Sequence, residues 1–248
     1  MKRIYLLLAL VLMLAAGNVY AHDAGDLMLG IEPQIGIAIP SIGLMSAYEM
    51  FPGIDFSMRA TVDYYFTDFL SLGVGLGYSC NYHIFLGDSS SSGVDGAVYS
   101  IPIIGWIILL GDIAASLEAV INPDGTYFAS YITIPFGLRL SAKAFTLGAG
   151  ATANLPIYGG GEIHFEDETV TFKLLPYLGW YADIGFDFSG RKNRKNGFGI
   201  LFRINGTFTE EIAEPSDLSF NDFRFFSTAL IFKASLELAN RPIGGKKE

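Results

Sequence analysis

Carboxylate side chains form the densest group of potential metal ligands in this sequence. Glu162, Glu166, Asp167 and Glu168 all lie within residues 162–168. Oxygen atoms of this kind are the ligands that hard divalent cations such as Ca²⁺ prefer. Acidic runs in connecting segments also occur simply because they keep a surface hydrated. Two interpretations stay open here: a weak divalent-cation site and a hydrated acidic surface.

Residues for catalysis are sparse. A lipid-hydrolysing site needs a nucleophile, a base and an orienting acid. The spacing of His83 and His164 does not indicate a triad with Ser79 or with the nearby carboxylates. The chain has no phosphate-binding loop, dinucleotide fingerprint or paired Cys/His spacing, and its glycine run 159–161 is predicted to be a loop. We therefore predict that the chain is not an enzyme and has no cofactor.

A further set of charged residues falls at alternate positions of otherwise apolar segments. Its members are Glu32, Asp55, Arg59, Asp63, Arg139, Asp183, Asp187, Arg203, Lys233 and Glu237. Charges that face a confined interior must pair, because an unpaired buried charge is costly. We expect either a closed polar network of ion pairs or a narrow polar passage. The passage would be favoured by small residues that face the same interior, namely Gly73, Gly75, Gly77, Gly148 and Gly150.

The elements that would position these residues are long strands. In residues 174–188, LLPYLGWYADIGFDF, every even position is apolar, whereas Asp183 and Asp187 are at odd positions. A period of two indicates an extended strand with one apolar and one polar face. Such a strand exceeds the roughly 9–11 residues needed to cross a bilayer. The pattern recurs in seven more segments, residues 27–39, 54–66, 70–84, 128–140, 145–155, 198–208 and 224–238.

These eight segments predict an all-β fold, a transmembrane antiparallel up-and-down β-barrel of eight strands. Its short turns fall at 67–68, 141–144 and 189–196, and its long connections at 40–53, 86–127, 156–173 and 209–223. Barrels of the outer membrane place short turns in the periplasm and long loops outside. Without their flanking strand ends, the long connections contain acidic residues and no Lys or Arg, so we expect an acidic outer rim.

Aromatic residues of the apolar parity are grouped near both ends of the strands. We expect them to form two interfacial girdles. The first group is Phe66, Phe145, Phe188 and Phe198, and the second is Tyr82, Phe128, Phe208 and Phe226. The same alternation is also compatible with a soluble sandwich, in which these rings would be core residues.

The N-terminal residues have the features of a secretory leader. Lys2 and Arg3 precede an apolar run, residues 4–16, and Val19, Tyr20 and Ala21 form a cleavage site. We predict a signal peptide at 1–21 and one barrel domain at 22–248. Removal of Lys2 and Arg3 leaves 14 basic and 25 acidic residues, a net charge of −11, which argues against a nucleic-acid partner. The single cysteine, Cys80, cannot form an internal disulfide.

With this leader, the dyad strands and the segments LGVGLGYS (72–79), YITIPFGLRL (131–140) and LGAGATAN (147–154), the sequence resembles small outer-membrane β-barrel proteins of the OmpA-like, OmpX and OmpW types. The resemblance covers nearly all of the mature chain. It implies an outer-membrane location, contact with membrane lipid and a monomeric barrel. It identifies architecture rather than activity.

One apolar segment does not follow the dyad pattern. Residues 100–121 are apolar at both parities and include Pro102 and Asp112. Three arrangements stay open: an additional hairpin giving ten strands, an element packed over or into the barrel mouth, and a helix on the outer leaflet. Asp112 makes a free spanning helix costly.

From these features we expect a porin-like cell-envelope protein with a structural or surface-interaction role and acidic extracellular loops. The alternative is a narrow channel or transporter for small solutes. A lipid-modifying enzyme at the barrel rim is the third hypothesis.

Overall fold

The wall of the molecule consists of eight long strands. The computed structural model describes residues 22–40, 49–50, 53–86, 125–142, 144–164, 169–188, 196–209, 212–213 and 225–240. The strands are β1 (Asp26–Pro40), β2 (Gly53–Tyr65), β3 (Leu70–Leu86), β4 (Gly125–Ala142), β5 (Phe145–His164), β6 (Tyr177–Asp187), β7 (Asn196–Thr207) and β8 (Phe225–Asn240).

The eight strands form a closed barrel. Each strand pairs antiparallel with the next one along the chain. The ring is closed by β8, which pairs with β1 from Asp26↔Asn240 to Pro40↔Phe225. Closure satisfies the backbone hydrogen bonds that a sheet edge would leave open. The predicted fold class, an up-and-down antiparallel barrel of eight strands, is confirmed.

Side chains alternate between the interior and the outer surface, as the sequence pattern predicts. On β2, positions alternate strictly between buried and exposed from Gly53 to Ala60. Phe56 and Met58 are exposed, whereas Asp55 and Arg59 are buried. The polar side chains of each strand therefore line the interior, and the alternating apolar side chains cover the outside. Within the described ranges, no helix is long and apolar enough to cross a membrane.

The alternative of a ten-stranded barrel is wrong. β3 pairs directly with β4 from Leu70↔Leu140 to Phe85↔Gly125. A hairpin from the connection between them therefore cannot stand in the wall, because its place in the hydrogen-bonded ladder is already filled. Residues 100–121 lie outside the described residues, so the two other arrangements stay predictions.

The predicted long connection 156–173 is largely strand. β5 continues to His164 and pairs with a short strand, Thr169–Leu174, which in turn pairs with Ile212–Ala213. The register of β5 against β4 shifts between Ser130 and Tyr131, and Gly159 has a φ of +130°. That conformation suits glycine because it has no Cβ. The glycine run 159–161 is thus part of a β-strand and not a loop.

The predicted strand 174–188 is interrupted near its start. Leu174 ends the short strand Thr169–Leu174, and β6 begins at Tyr177. Pro176 lies in the gap and has no N–H group with which to continue the ladder. Lys173, which is exposed, belongs to this extension. The end of the barrel opposite the short turns therefore carries a basic residue on a strand end, and the acidic rim stays a prediction.

Aromatic side chains are exposed or half-buried at both ends of the wall, at all eight predicted girdle positions. Near the short turns, the rings of Phe188 and Phe198 lie 5.2 Å apart and those of Phe145 and Phe186 lie 6.1 Å apart. Near the other end, Trp180 and Phe226 lie 6.3 Å apart. This arrangement rules out these rings as the packed core of a sandwich.

Some outward positions depart from the pattern, and two of them face each other. Ile37 on β1 is fully buried, and so is its cross-strand neighbour Thr228 on β8. Both were expected on the apolar outer face by their parity.

Candidate functional site in the barrel interior

The interior of the barrel is filled by polar side chains at three levels. The middle level, called here the charged layer, consists of Glu32, Asp63, Arg139, Asp183 and Arg203. The lower level, towards the short turns, contains Lys233, Asp187, Tyr65 and His22. The upper level, towards the long connections, surrounds a small cavity. The alternation of each strand places these residues inside, and the antiparallel register sets the level of each.

Arg203 is held by the adjacent strand. Its Nε donates to Asp183 Oδ1 at 2.6 Å and its Nη2 donates to Asp183 Oδ2 at 2.7 Å. The two residues are direct cross-strand partners on β7 and β6, so the guanidinium and the carboxylate form a bidentate pair. Arg203 is only 2% exposed, and its guanidinium carbon lies 4.6 Å from the centroid of the Tyr181 ring. The bond from Nε is the shortest hydrogen bond of the charged layer.

Glu32 joins two arginines from different parts of the wall. Its Oε1 accepts a hydrogen bond from Arg139 at 3.0 Å, and its Oε2 lies 3.3 Å from Nη2 of Arg203. Arg139 also donates to Asp63 Oδ2 at 2.7 Å. β1, β4 and β7 are thereby linked through the barrel interior rather than along its wall. The layer crosses the full width of the interior.

Lys233 connects the charged layer to the lower level. Its Nζ lies 2.9 Å from Asp63 Oδ2 and 3.1 Å from Asp187 Oδ2. Every cation of this group therefore has at least two carboxylate oxygens close by, as a buried charge requires.

Inward glycines make room for these large side chains. An ideal Cβ built on Gly150 would lie 2.6 Å from Oη of Tyr181, and one built on Gly77 would lie 2.7 Å from Cγ of Arg59. Gly73 is equally close to Asp63, and an ideal Cβ on Gly148 would lie 3.3 Å from Cβ of Asp183, which is tight. The space above these glycines is occupied. Their small size therefore does not indicate an open passage.

A cavity of about 40 Å³ lies above the charged layer. Hydroxyl and amide side chains form a linked set on one side: Ser79 and Thr133 at 2.9 Å, Thr133 to Asn154 at 3.0 Å, and Asn154 to Thr152 at 2.9 Å. On the opposite side, Asp55 Oδ2 accepts hydrogen bonds from Gln34 at 3.0 Å and from Ser227 at 2.8 Å. The lining is polar on both sides.

Arg59 differs from the other inward cations. It lines the cavity, is 5% exposed, and is the direct cross-strand partner of Glu32. Its Nε and Nη1 have no hydrogen-bond partner among the described residues. The reason is competition: both oxygens of Glu32 are already engaged by Arg139 and Arg203.

His22 closes the lower end of the interior. It is 4% exposed and its ring stacks on Tyr65 with 3.9 Å between centroids. Gly25 N donates to Tyr65 O at 2.8 Å and Ala24 N donates to Asp68 Oδ1 at 3.1 Å, which fixes the segment before β1 beneath the barrel. Burial lowers the pKa of His22 from 6.5 to about 4, although the charge of Asp187 partly opposes this shift. The dyad pattern could not indicate His22, because it precedes the first strand.

The remaining predicted site residues are not brought into this network. Glu237 is half-buried near the lower end and has no ion pair among the described residues. Glu162 lies on the β5 extension opposite Thr171, whereas Glu166, Asp167 and Glu168 lie outside the described residues. Of the part of the chain that the structure describes, no group of three or more His, Cys, Asp or Glu side chains could hold a metal ion.

No protein-family model matches the sequence, and no curated protein matches it. Among solved structures, the chain is similar to the outer membrane protein OprG from Pseudomonas aeruginosa, with 12% identity, 90% of this chain and 100% of that chain covered, and a TM-score of 0.45. The outer membrane protein AlkL in lipid bilayers is 10% identical, with 94% of this chain and 97% of that chain covered and a TM-score of 0.46. The Neisserial surface protein A is 11% identical, with 85% of this chain and 97% of that chain covered and a TM-score of 0.41. The closed barrel of this chain is established by its own strand pairing.

Proposed function

We propose that this chain is an integral outer-membrane β-barrel that serves as a closed scaffold, with a structural or surface-interaction role carried by its outer connections. The outer surface supports the membrane placement. Leu76 is 60% exposed and Phe136 is 57% exposed, and comparable side chains surround the wall. A continuous apolar band of this kind is costly in water and suits the acyl chains of a bilayer.

Spin labels test the membrane placement directly. Labels at Phe56, Leu178 and Ile204 lie on three different strands and on the apolar parity. We expect all three to collide with a quencher dissolved in the bilayer, and the protein to fractionate with the outer membrane and show heat-modifiable electrophoretic mobility. Labels that report contact with water alone would overturn the placement.

The observation that supports a closed scaffold is the charged layer. Arg139, Glu32 and Arg203 connect opposite parts of the wall at distances of 3.0 and 3.3 Å. An interior of eight strands is just wide enough for side chains to fill it. A gap of about 10 Å³ beside the layer has space for about one water molecule and no solute.

Conductance in a planar bilayer tests the closed scaffold. We expect no stepwise current from the purified barrel. We expect steps to appear when Glu32 and Arg139 are both changed to serine, because the pair that crosses the interior is then removed without leaving a lone charge. Stable channel steps from the unaltered protein would contradict the closed scaffold.

The surface role would use the outer connections. Their acidic residues, including Glu162, Glu166, Asp167 and Glu168, could gather divalent cations. Calorimetric titration with calcium tests this. We expect binding heat from the unaltered barrel and its loss when these four residues are changed to Gln and Asn. An absence of heat above background would remove the cation from the proposal.

A narrow channel is the second candidate, and the cavity above the charged layer favours it. The cavity gives a solute a polar place to enter, but it ends at the charged layer. Transport would therefore require Arg139 or Arg203 to exchange partners. The same conductance measurement distinguishes this candidate from the scaffold.

A further inference from the structure

We propose that the cavity above the charged layer is a binding site for a small monoanion, specifically the carboxylate group of a small polar solute, and that Arg59 is the residue that recognises it. This inference goes beyond the scaffold role. It concerns binding within the upper level and holds whether or not the barrel conducts.

The first argument is that Arg59 is a buried cation in which two of the three guanidinium nitrogens, Nε and Nη1, lack an acceptor. It is 5% exposed, and neither Nε nor Nη1 donates a hydrogen bond within the described part of the chain. A buried guanidinium in this state carries a desolvation cost that its surroundings do not offset. Arg203, in the charged layer below, is a guanidinium with its acceptors in place, since it makes two bonds to Asp183.

The second argument is that most oxygen atoms of the neighbouring carboxylates already bond other partners. Both oxygens of Asp183 accept from Arg203, and the two oxygens of Glu32 are divided between Arg139 and Arg203. Asp55 Oδ2 already accepts from Gln34 and Ser227. No acceptor within the described part of the chain bonds Nε or Nη1 of Arg59, and the cavity that Arg59 lines has room for an oxygen atom from outside the chain.

The third argument is the charge and size of the site. Asp55 lines the same cavity and disfavours a ligand with two negative charges, so a carboxylate suits the site better than a phosphate dianion. The hydroxyl and amide groups of Ser79, Asn81 and Asn154 lie around the same space and can bond the ligand's second oxygen or a hydroxyl substituent. A volume of about 40 Å³ holds only a small solute.

Acetate is the probe for the test. The full barrel, labelled with ¹⁵N-arginine and held in lipid nanodiscs, is titrated with sodium acetate at an ionic strength kept constant with sodium chloride. We expect the Nε–H resonance of Arg59 to move saturably, while those of Arg139 and Arg203 stay in place. The Arg59 resonance is assigned by its disappearance in Arg59→Lys.

Variants and competing anions complete the experiment. Arg59→Met should weaken acetate binding by at least about tenfold, because it removes the charged donor. Lys173→Met removes the same charge from an exposed position and should leave binding unchanged. If Arg59→Met does not fold, the titration of the unaltered barrel still decides.

Three results would overturn the inference. No saturable movement would mean that water alone occupies the cavity, an identical response to chloride would mean unspecific screening, and tighter binding of phosphate than of acetate would exclude the monocarboxylate class. None of these bears on the conductance result, so failure here and failure of the scaffold proposal are distinguishable.

Discussion

Asp183 and Arg203 face each other directly across β6 and β7, with both carboxylate oxygens bonded by the guanidinium at 2.6 and 2.7 Å. A bidentate pair inside the barrel makes the two residues depend on each other. Loss of either one leaves the other buried with only a longer contact, Arg203 to Glu32 at 3.3 Å or Asp183 to Arg139 at 3.9 Å, which is worse than the loss of both.

Arg203→Met should therefore lower the free energy of unfolding by about 3–5 kcal/mol, because Asp183 loses its nearest cation and Glu32 loses one of its two. The double variant Arg203→Met, Asp183→Leu should recover most of that loss, since no lone charge remains between the pair. Urea unfolding in lipid vesicles measures both. Equal stabilities of the single variant and the unaltered protein would show that the pair contributes nothing.

Substitution at Gly150 should show that the inward glycines provide space. Gly150→Val places new atoms against the backbone oxygen of Phe136 and where Tyr181 lies, with Oη of Tyr181 2.6 Å from an ideal Cβ at this position. We expect a destabilisation of about 1–3 kcal/mol from overpacking. Ala149→Val is the matched control, since Ala149 is exposed on the outer face of the same strand. A comparable loss in both variants would mean that β5 simply tolerates no branching there.

The depth dependence of charge on the outer face should report the bilayer. Leu76 lies near the middle of β3, so Leu76→Arg should cost about 2–4 kcal/mol in vesicles. Leu238 lies near the short-turn end of β8, and Leu238→Arg should cost about 0–1 kcal/mol because the side chain reaches the interface. Unfolding free energies measured in the same vesicles compare the two. Equal costs at both positions would argue against a lipid boundary.

Stability should fall between pH 6.5 and about 4 through His22. Its pKa is lowered in the folded state, so in this range the unfolded chain binds a proton that the folded chain does not. Stability contributed by neutral His22 is thus present above pH 6.5 and is lost as the pH falls, to a total of about 3 kcal/mol.

His22→Phe is the matched variant for this measurement, because it keeps a ring on Tyr65 without a titratable group. Other carboxylates also titrate as the pH falls, so the difference between the two proteins is the informative quantity. Unfolding midpoints are recorded from pH 7 to 4 for both proteins. The midpoint of the unaltered protein should fall more steeply with pH than that of His22→Phe. Parallel profiles would exclude His22 as the origin.

The alternation of residue types predicted the wall well because its cause is local. A period of two assigns each side chain to a face without reference to any other strand. It placed Arg59, Asp183 and Arg203 inside correctly. The partners of these residues depend on register and closure, so the sequence could not show that Arg59 loses its cross-strand neighbour Glu32 to two arginines.

Boundaries and extensions were harder to predict for the same physical reason. The strand predicted from Leu174 continues the dyad pattern, but Pro176 interrupts its ladder. β5 extends to His164 because Thr169–Leu174 pairs with it, and that pairing compensates for a glycine-rich sequence with weak strand propensity. His22 lies outside any periodic segment, and only the closed barrel above it explains its burial.

The pairing of β1 with β8 sets an order on assembly. Pro40 meets Phe225 and Asp26 meets Asn240, so the first strand of the wall finds its second neighbour only when the last strand is present. Until then both edge strands of the sheet carry unpaired backbone amides and carbonyls, and these can form β-pairing with another chain. A nascent or truncated form that lacks β8 should need a chaperone to stay unaggregated before insertion. The pairing of β1 with β8 should be the final and slowest step of insertion.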